Sequence, residues 1–173
     1  QDKGFIMTSF DEEKEILFLN FYDQNLQLKQ EQFIEQKRTL GVFNLEHIFV
    51  WKESLVVLAS LQYSGPQRNN LLFYRYDLPS LKLLESQKLL ETKLAADLEI
   101  PYLYALSPDK QRLLLAGWEF LKSEEKARLS IRVFDEKLNL IHQKSDTLPY
   151  VNEKILIHDC KVDNLGNVYV IGD

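Results

Sequence analysis

The segment Tyr76-Asp77-Leu78-Pro79-Ser80-Leu81-Lys82-Leu83 joins an aromatic–Asp pair to a short turn and then to alternating Leu-Lys-Leu. The same arrangement returns as Tyr22-Asp23 with Leu26-Gln27-Leu28, and as Phe134-Asp135 with Leu138-Asn139-Leu140. The three aspartates lie 54 and 58 residues apart. A second marker, an apolar stretch ending in small residues, recurs at Thr8-Ser9, Ala59-Ser60, Ala116-Gly117 and Ile171-Gly172, in steps of 51, 57 and 55 residues. Two independent markers with one period indicate an internal repeat of about 55 residues.

Between the markers the chain alternates with period two or runs through short apolar stretches rich in β-branched and aromatic residues, which is the pattern of strands. A full unit holds four, labelled a to d. The second unit places them at 45–50, 54–62, 70–77 and 81–90, the third at 101–106, 111–120, 127–135 and 138–145. The first unit supplies b, c and d (4–10, 15–22, 26–34), and the fourth supplies a and b (154–162, 167–172). The Leu-, Lys- and Glu-rich stretch 81–98 has helical propensity, but β context commonly overrides intrinsic preference, so the repeat predicts a strand there as well.

The composition sets outer limits. The 173-residue chain is 45% apolar, 27% charged and 12% aromatic, which argues against a largely disordered chain. No apolar run approaches the roughly 20 residues of a membrane-spanning helix. A formal charge of -5 argues against a nucleic-acid-binding surface. A single cysteine, Cys160, excludes an internal disulfide and a cysteine-rich metal site. The start at Gln1 fits an exported protein whose signal segment has been removed, giving a periplasmic or extracellular expectation with a cytoplasmic location as the alternative.

Four short antiparallel strands at this spacing are the sequence form of a β-propeller blade. Residues 106–115, Leu-Ser-Pro-Asp-Lys-Gln-Arg-Leu-Leu-Leu, resemble the SPDG-then-strand hairpin of TolB-like and WD-like propeller repeats, with Lys110 in place of the usual glycine, which predicts a different turn type. Residues 162–172, Val-Asp-Asn-Leu-Gly-Asn-Val-Tyr-Val-Ile-Gly, are similar to a hairpin common in envelope propellers of Bacteroidetes. The expected fold is therefore all-β, a propeller portion of four-stranded antiparallel blades spanning 1–173. About three blades are present, whereas a ring of four needs about 220 residues, so the ring is expected to be incomplete. Open blade edges make self-association a further expectation.

Within that frame most of the markers are structural. An Asp opening a turn accepts backbone N–H bonds a few residues on, so Asp23, Asp77 and Asp135 are expected to fix the c–d hairpins. The aromatics before them should pack in the core. The b–c and d–a connections are longer than the a–b and c–d turns and emerge on one face, where binding most often sits. Tyr63, Arg68, Trp118, Phe120, Lys122 and Tyr150 lie in or beside those connections and are the candidate partner-contact residues.

Catalytic signals are sparse. The only reactive cluster is His158-Asp159-Cys160, where an extended strand would put His158 and Cys160 on one face and Asp159 on the other. Cys160 is expected to be a packed side chain rather than a nucleophile. His47 and His158 both fall in a strands, but no third metal ligand accompanies them. No P-loop, dinucleotide glycine pattern, nucleophile elbow or EF-hand loop is present, and no cofactor or metal is expected. The leading expectation is a non-enzymatic module binding a protein or glycan partner. Its rivals are part of a propeller enzyme (glycoside hydrolase, lyase or peptidase-associated) whose catalytic residues lie in the channel or beyond residue 173, and a structural scaffold of an envelope assembly.

Overall fold

The computed structural model describes residues 4–11, 13, 16–35, 41–63, 68–78, 80–93, 102–121, 126–151 and 157–172. Among the described residues there are thirteen strands and no helix. Sheet 1 has the order β1 (Gly4–Asp11), β2 (Ile16–Asp23), β3 (Leu28–Glu35). Sheet 2 has the order β4 (Val42–Trp51), β5 (Ser54–Tyr63), β6 (Arg68–Asp77), β7 (Leu83–Lys93). Sheet 3 follows with β8 (Tyr102–Leu106), β9 (Arg112–Leu121), β10 (Lys126–Asp135), β11 (Leu140–Val151), and sheet 4 pairs β12 (Ile157–Val162) with β13 (Val168–Gly172). Each sheet is a simple antiparallel meander in chain order, so the three, four, four and two strands read from the repeat are all found. Residues 83–93, despite their helical composition, are strand β7. Edge-to-edge pairing and burial of Leu89 and Leu90 outweigh the propensity.

The chain divides into two compact units, Gln1–Glu91 and Thr92–Asp173. In the first, sheet 1 lays Leu17, Leu19, Phe21 and Ile34 against Leu55, Val57, Tyr76 and Leu81 of sheet 2. In the second, Leu114, Ala116 and Val133 of sheet 3 meet Cys160 and Val162 of sheet 4, with Val168 and Val170 packed alongside. Strand β5 is buried continuously from Leu55 to Ser60 and β9 from Leu113 to Gly117, so both faces of these strands are covered. Their sequences, Leu-Val-Val-Leu-Ala and Leu-Leu-Leu-Ala, accordingly lack the alternation of a half-exposed strand. Tyr76 and Phe134 are buried as expected, whereas Tyr22 lies on the outer face of sheet 1, stacked on Phe5 at 5.3 Å.

The hairpins repeat one piece of chemistry. Asp23 Oδ1 accepts the N–H groups of Asn25 (2.8 Å) and Gln27 (3.0 Å). Asp135 Oδ1 accepts those of Lys137 (2.9 Å) and Asn139 (2.8 Å), and Asp163 Oδ1 those of Leu165 and Asn167 (both 2.9 Å). These bonds hold the Asp23 and Asp163 carboxyls below their ordinary value, through Gln27 first in one and the Asn167 side chain first in the other. At Asp135 burial pushes the value up, but bonds from Asn139 and Lys137 outweigh it and the net shift is downward. The Asp77 turn is one residue longer and is closed instead by Ser80, whose N–H donates to Asp77 Oδ2 at 3.2 Å.

In every one of these turns the second residue before the returning strand is left-handed: Leu26 (φ 62), Leu81 (φ 50), Leu138 (φ 61) and Gly166 (φ 91). Lys110 takes the same conformation (φ 57), so this turn keeps its left-handed residue without a glycine. The difference lies elsewhere. The Ser107 turn closes on Arg112, one residue further than the Asp163 turn reaches, with Ser107 Oγ accepting the Arg112 N–H at 2.9 Å. Asp109 N–H donates to Asn164 Oδ1 at 3.1 Å, tying the β8–β9 turn to the β12–β13 turn within the second unit.

A branched side chain in left-handed backbone costs about 1 kcal/mol or more, a term glycine lacks. Leu26 is 71% exposed and gains little by its side chain, so Leu26→Gly is expected to raise the unfolding free energy by roughly 0.5–1 kcal/mol. Leu138 has the same φ but is only 7% exposed, and Leu138→Gly is expected to lower it by about 2–4 kcal/mol because lost burial exceeds relieved strain. Urea titrations of the two variants decide the matter. If both move in the same direction, exposure does not set which of strain and burial wins at these turns.

Candidate functional site

Tyr63 ends β5 and Arg68 opens β6, and the two are partners in the last rung of that hairpin. Arg68 Nη1 lies 3.2 Å from Glu91 Oε1 on β7, and Lys88 Nζ lies 2.7 Å from Glu91 Oε2. Lys88 first and then Arg68 hold the Glu91 carboxyl below its ordinary value. All three side chains are solvent-accessible, so the cluster adds little to stability, and its charges are open to a partner. At the same end of sheet 2 two polar residues, Ser60 and Asn69, are buried.

Sheet 3 repeats the placement. Strand β9 continues to Leu121 and β10 begins at Lys126, so Trp118 and Phe120 stand on β9, within the strand expected at 111–120. Their rungs are Leu129↔Trp118 and Ala127↔Phe120. Strand β11 runs to Val151, six residues beyond the strand expected at 138–145, and carries Tyr150 next to the rung Lys126↔Val151. Lys122, with residues 64–67 of the other b–c connection, lies outside the described residues. The five described candidates therefore divide between corresponding ends of two sheets: Tyr63 and Arg68 on sheet 2, Trp118, Phe120 and Tyr150 on sheet 3. Trp, Phe and Tyr are themselves strand formers, and no proline or glycine stops β9 after Gly117.

One cluster escaped the sequence reading. Trp51, at the end of β4, meets Phe73 of β6 edge-on, with ring centroids 6.4 Å apart and planes at 82°. The Arg75 guanidinium lies 5.3 Å from the Trp51 ring centre and 5.4 Å from that of Phe73, and Arg75 Nη1 reaches Glu85 Oε2 at 3.7 Å. The one signal in the sequence is Phe73 and Arg75 two apart on one strand, hence on one face. Its role is packing, as the rings are buried and the cation is spent on them and on Glu85.

The reactive cluster is arranged differently from the extended-strand expectation. A register shift between Ile157 and Asp159 inserts a bulge into β12, so that His158 and Asp159 are both exposed while Cys160 is buried. His158 and Cys160 therefore do not share a face. Burial first, and then the Asp159 charge, push the Cys160 thiol up to about 11, so at neutral pH it is protonated and withdrawn from solvent, the wrong state for a nucleophile. His47 is half-buried beside another bulge, between Leu45 and His47, and belongs to the other unit. Among the described residues no three His, Cys, Asp or Glu side chains gather as a metal site, and no helix is long and apolar enough to cross a membrane. The depression lined by Leu72, Tyr74, Ser86, Gln87 and Lys88 on β6 and β7 is shallow and open, unlike the enclosed clefts that hold small molecules. No protein-family model and no curated protein sequence matches the chain.

Proposed function

We propose that this chain is an arc of β-propeller blades, of the kind its hairpins resemble in TolB-like and WD-like repeats, and that it works as a non-enzymatic module binding a protein or glycan partner. The supporting observation is the recurrence of aromatic residues at one end of successive four-stranded meanders, with Tyr63 beside Arg68 on the β5–β6 rung and Trp118, Phe120 and Tyr150 on β9 and β11. Such residues, carried on rigid strands, bind extended or flat partners at low entropic cost, and Arg, Tyr and Trp dominate interface energetics. The withdrawn Cys160 and the exposed, separated His158 add weight to binding over catalysis.

The test is capture on the immobilised chain, from a glycan array and from an envelope-protein extract, followed by affinity measurements on whatever binds. The triple variant Arg68→Ala, Trp118→Ala, Phe120→Ala is expected to bind at least about tenfold more weakly. Lys110→Ala and Lys137→Ala, at the turns of the opposite sheet ends, are expected to bind like the unchanged protein. A triple variant that binds normally while the turn variants do not would place the binding surface at the other end.

A further inference from the structure

The face of sheet 2 that packs on sheet 1 changes character toward the Tyr63–Arg68 rung, where hydrogen-bonding groups replace the core. Pairing puts Tyr63, Arg68, Leu72 and Tyr74 on the face that carries Leu55, Val57 and Tyr76 of the core. On β7, Glu85 reaches Arg75 on the opposite face at 3.7 Å, so Ser86 and Lys88 stand on the Tyr74 side. Leu89 and Leu90 are both buried, which breaks the alternation and brings Glu91 back to the side of Lys88 and Arg68. Both of these cations are ion-paired with it.

Between β6 and β7 lies the open depression, about 230 Å³ in volume, lined by Leu72, Tyr74, Ser86, Gln87 and Lys88. Two observations join it to the charged cluster. Lys88 belongs to both, with its Nζ 2.7 Å from Glu91 Oε2. Tyr74 lines the depression and packs on the core, and its hydroxyl is pushed up by burial first and then by the nearness of Tyr63. That hydroxyl is therefore a protonated donor at neutral pH, held in place by the packing of its ring.

The chemistry selects a ligand class. Glu91 lies between two cations, 2.7 Å from Lys88 and 3.2 Å from Arg68. An anionic ligand would meet the carboxylate, and a cationic one would meet Lys88 and Arg68. A neutral hydroxyl suits both partners at once, donating to Glu91 and accepting from a cation, and such charge-assisted bonds are the strong ones. Tyr74 and Leu72 supply apolar surface beside these groups for the C–H face of a sugar ring. The openness that argues against a small enclosed ligand fits one unit of a longer chain, whose neighbours remain in solvent. We propose, on the reading of the chain as a binding module, that this depression takes one unit of a neutral saccharide chain, with Tyr74 along the ring and Lys88, Glu91 and Arg68 on its hydroxyls.

Nuclear magnetic resonance of the isotope-labelled chain tests this, with hexasaccharides of glucose, mannose, galactose and xylose added up to about 20 mM and hexagalacturonate as the anionic comparison. At least one neutral hexasaccharide is expected to shift the amides of residues 72–74 and 86–88 saturably, and to bind more tightly than hexagalacturonate. Lys88→Ala is expected to weaken that sugar about fivefold or more. Glu91→Gln keeps the shape but frees both cations, so it is expected to weaken the neutral sugar about fivefold and to strengthen hexagalacturonate. The three charged side chains are solvent-accessible and add little to stability, so both variants are expected to fold, which melting curves check. Neutral sugars that leave sheet 2 unmoved, hexagalacturonate as the tighter ligand of the unchanged chain, or two variants that bind like it would each overturn the saccharide site. Capture of a partner that the Arg68, Trp118 and Phe120 variant loses, with no sugar-induced shift on sheet 2, would overturn the site while leaving the binding-module reading intact. Absence of any captured partner as well would sink both.

Discussion

Phe73→Ala is expected to lower the unfolding free energy by about 3–5 kcal/mol, the largest single-site effect we anticipate in this protein. Phe73 is fully buried on β6, with Trp51 edge-on to its ring and the Arg75 guanidinium over both. Truncation removes the transfer energy of a benzyl group and leaves a void between strands that are tied by backbone ladders and close only partly. It also exposes one edge of Trp51 to empty space. The cation contributes less: a guanidinium over an aromatic face is worth about 0.5–2 kcal/mol, so Arg75→Met, which keeps the stem, is expected to fall well short of the Phe73 effect. Guanidinium titrations of the two variants make the comparison, and a Phe73→Ala loss no larger than that of Arg75→Met would show that this core rearranges far more freely than close packing implies.

Gly41→Ala is expected to cost about 2–4 kcal/mol, through backbone rather than packing. Gly41 precedes β4 with φ 144, a conformation L side chains avoid, and a Cβ there would overlap the carbonyl oxygen of Gln62 on β5. Neither partner is a flexible side-chain tip, so relief requires the two strands to separate where their first rung, Val42↔Gln62, is made. Gly166 separates the two causes. Its φ of 91 is also left-handed, but nothing lies within 4 Å of its added Cβ. Gly166→Ala therefore carries the conformational term alone, about 1 kcal/mol. Melting curves of both variants read the difference directly, and equal losses would mean that the clash with Gln62 is relieved at no cost.

The repeat made most of the fold legible. An aromatic–Asp pair and a small-residue ending, each returning about every 55 residues, located strands to within a few positions, even where residues 83–93 favoured a helix. Three features were beyond it. The bulge at Ile157–Asp159 moves His158 off the face of Cys160, and a bulge is set by how two strands register, which one strand's sequence does not encode. The left-handed leucines contradict local preference, and Leu81 and Leu138 are held there because core burial outweighs the strain. The Trp51–Phe73–Arg75 cluster joins Trp51 to residues 22 and 24 positions further along, which only pairing through β5 brings together. The candidate contact residues were legible by type and by their place near the ends of strands. Their division between two sheet ends came only with the pairing register.

The continuous burial of β5 and β9 has a consequence for how the chain finds its alignment. A strand that alternates announces its own phase, because a one-residue slip turns its apolar residues to water. Leu55 to Ala59 and Leu113 to Ala116 carry no such information: slipped by one, they would present much the same greasy surface to both sides. The phase of these central strands must then be dictated from their ends, by turns that admit a single count of residues. For β9 that work falls to Ser107, a small polar side chain at the periphery whose Oγ accepts the Arg112 N–H, and for β5 to the two-residue turn Lys52–Glu53, with Lys52 left-handed at φ 58.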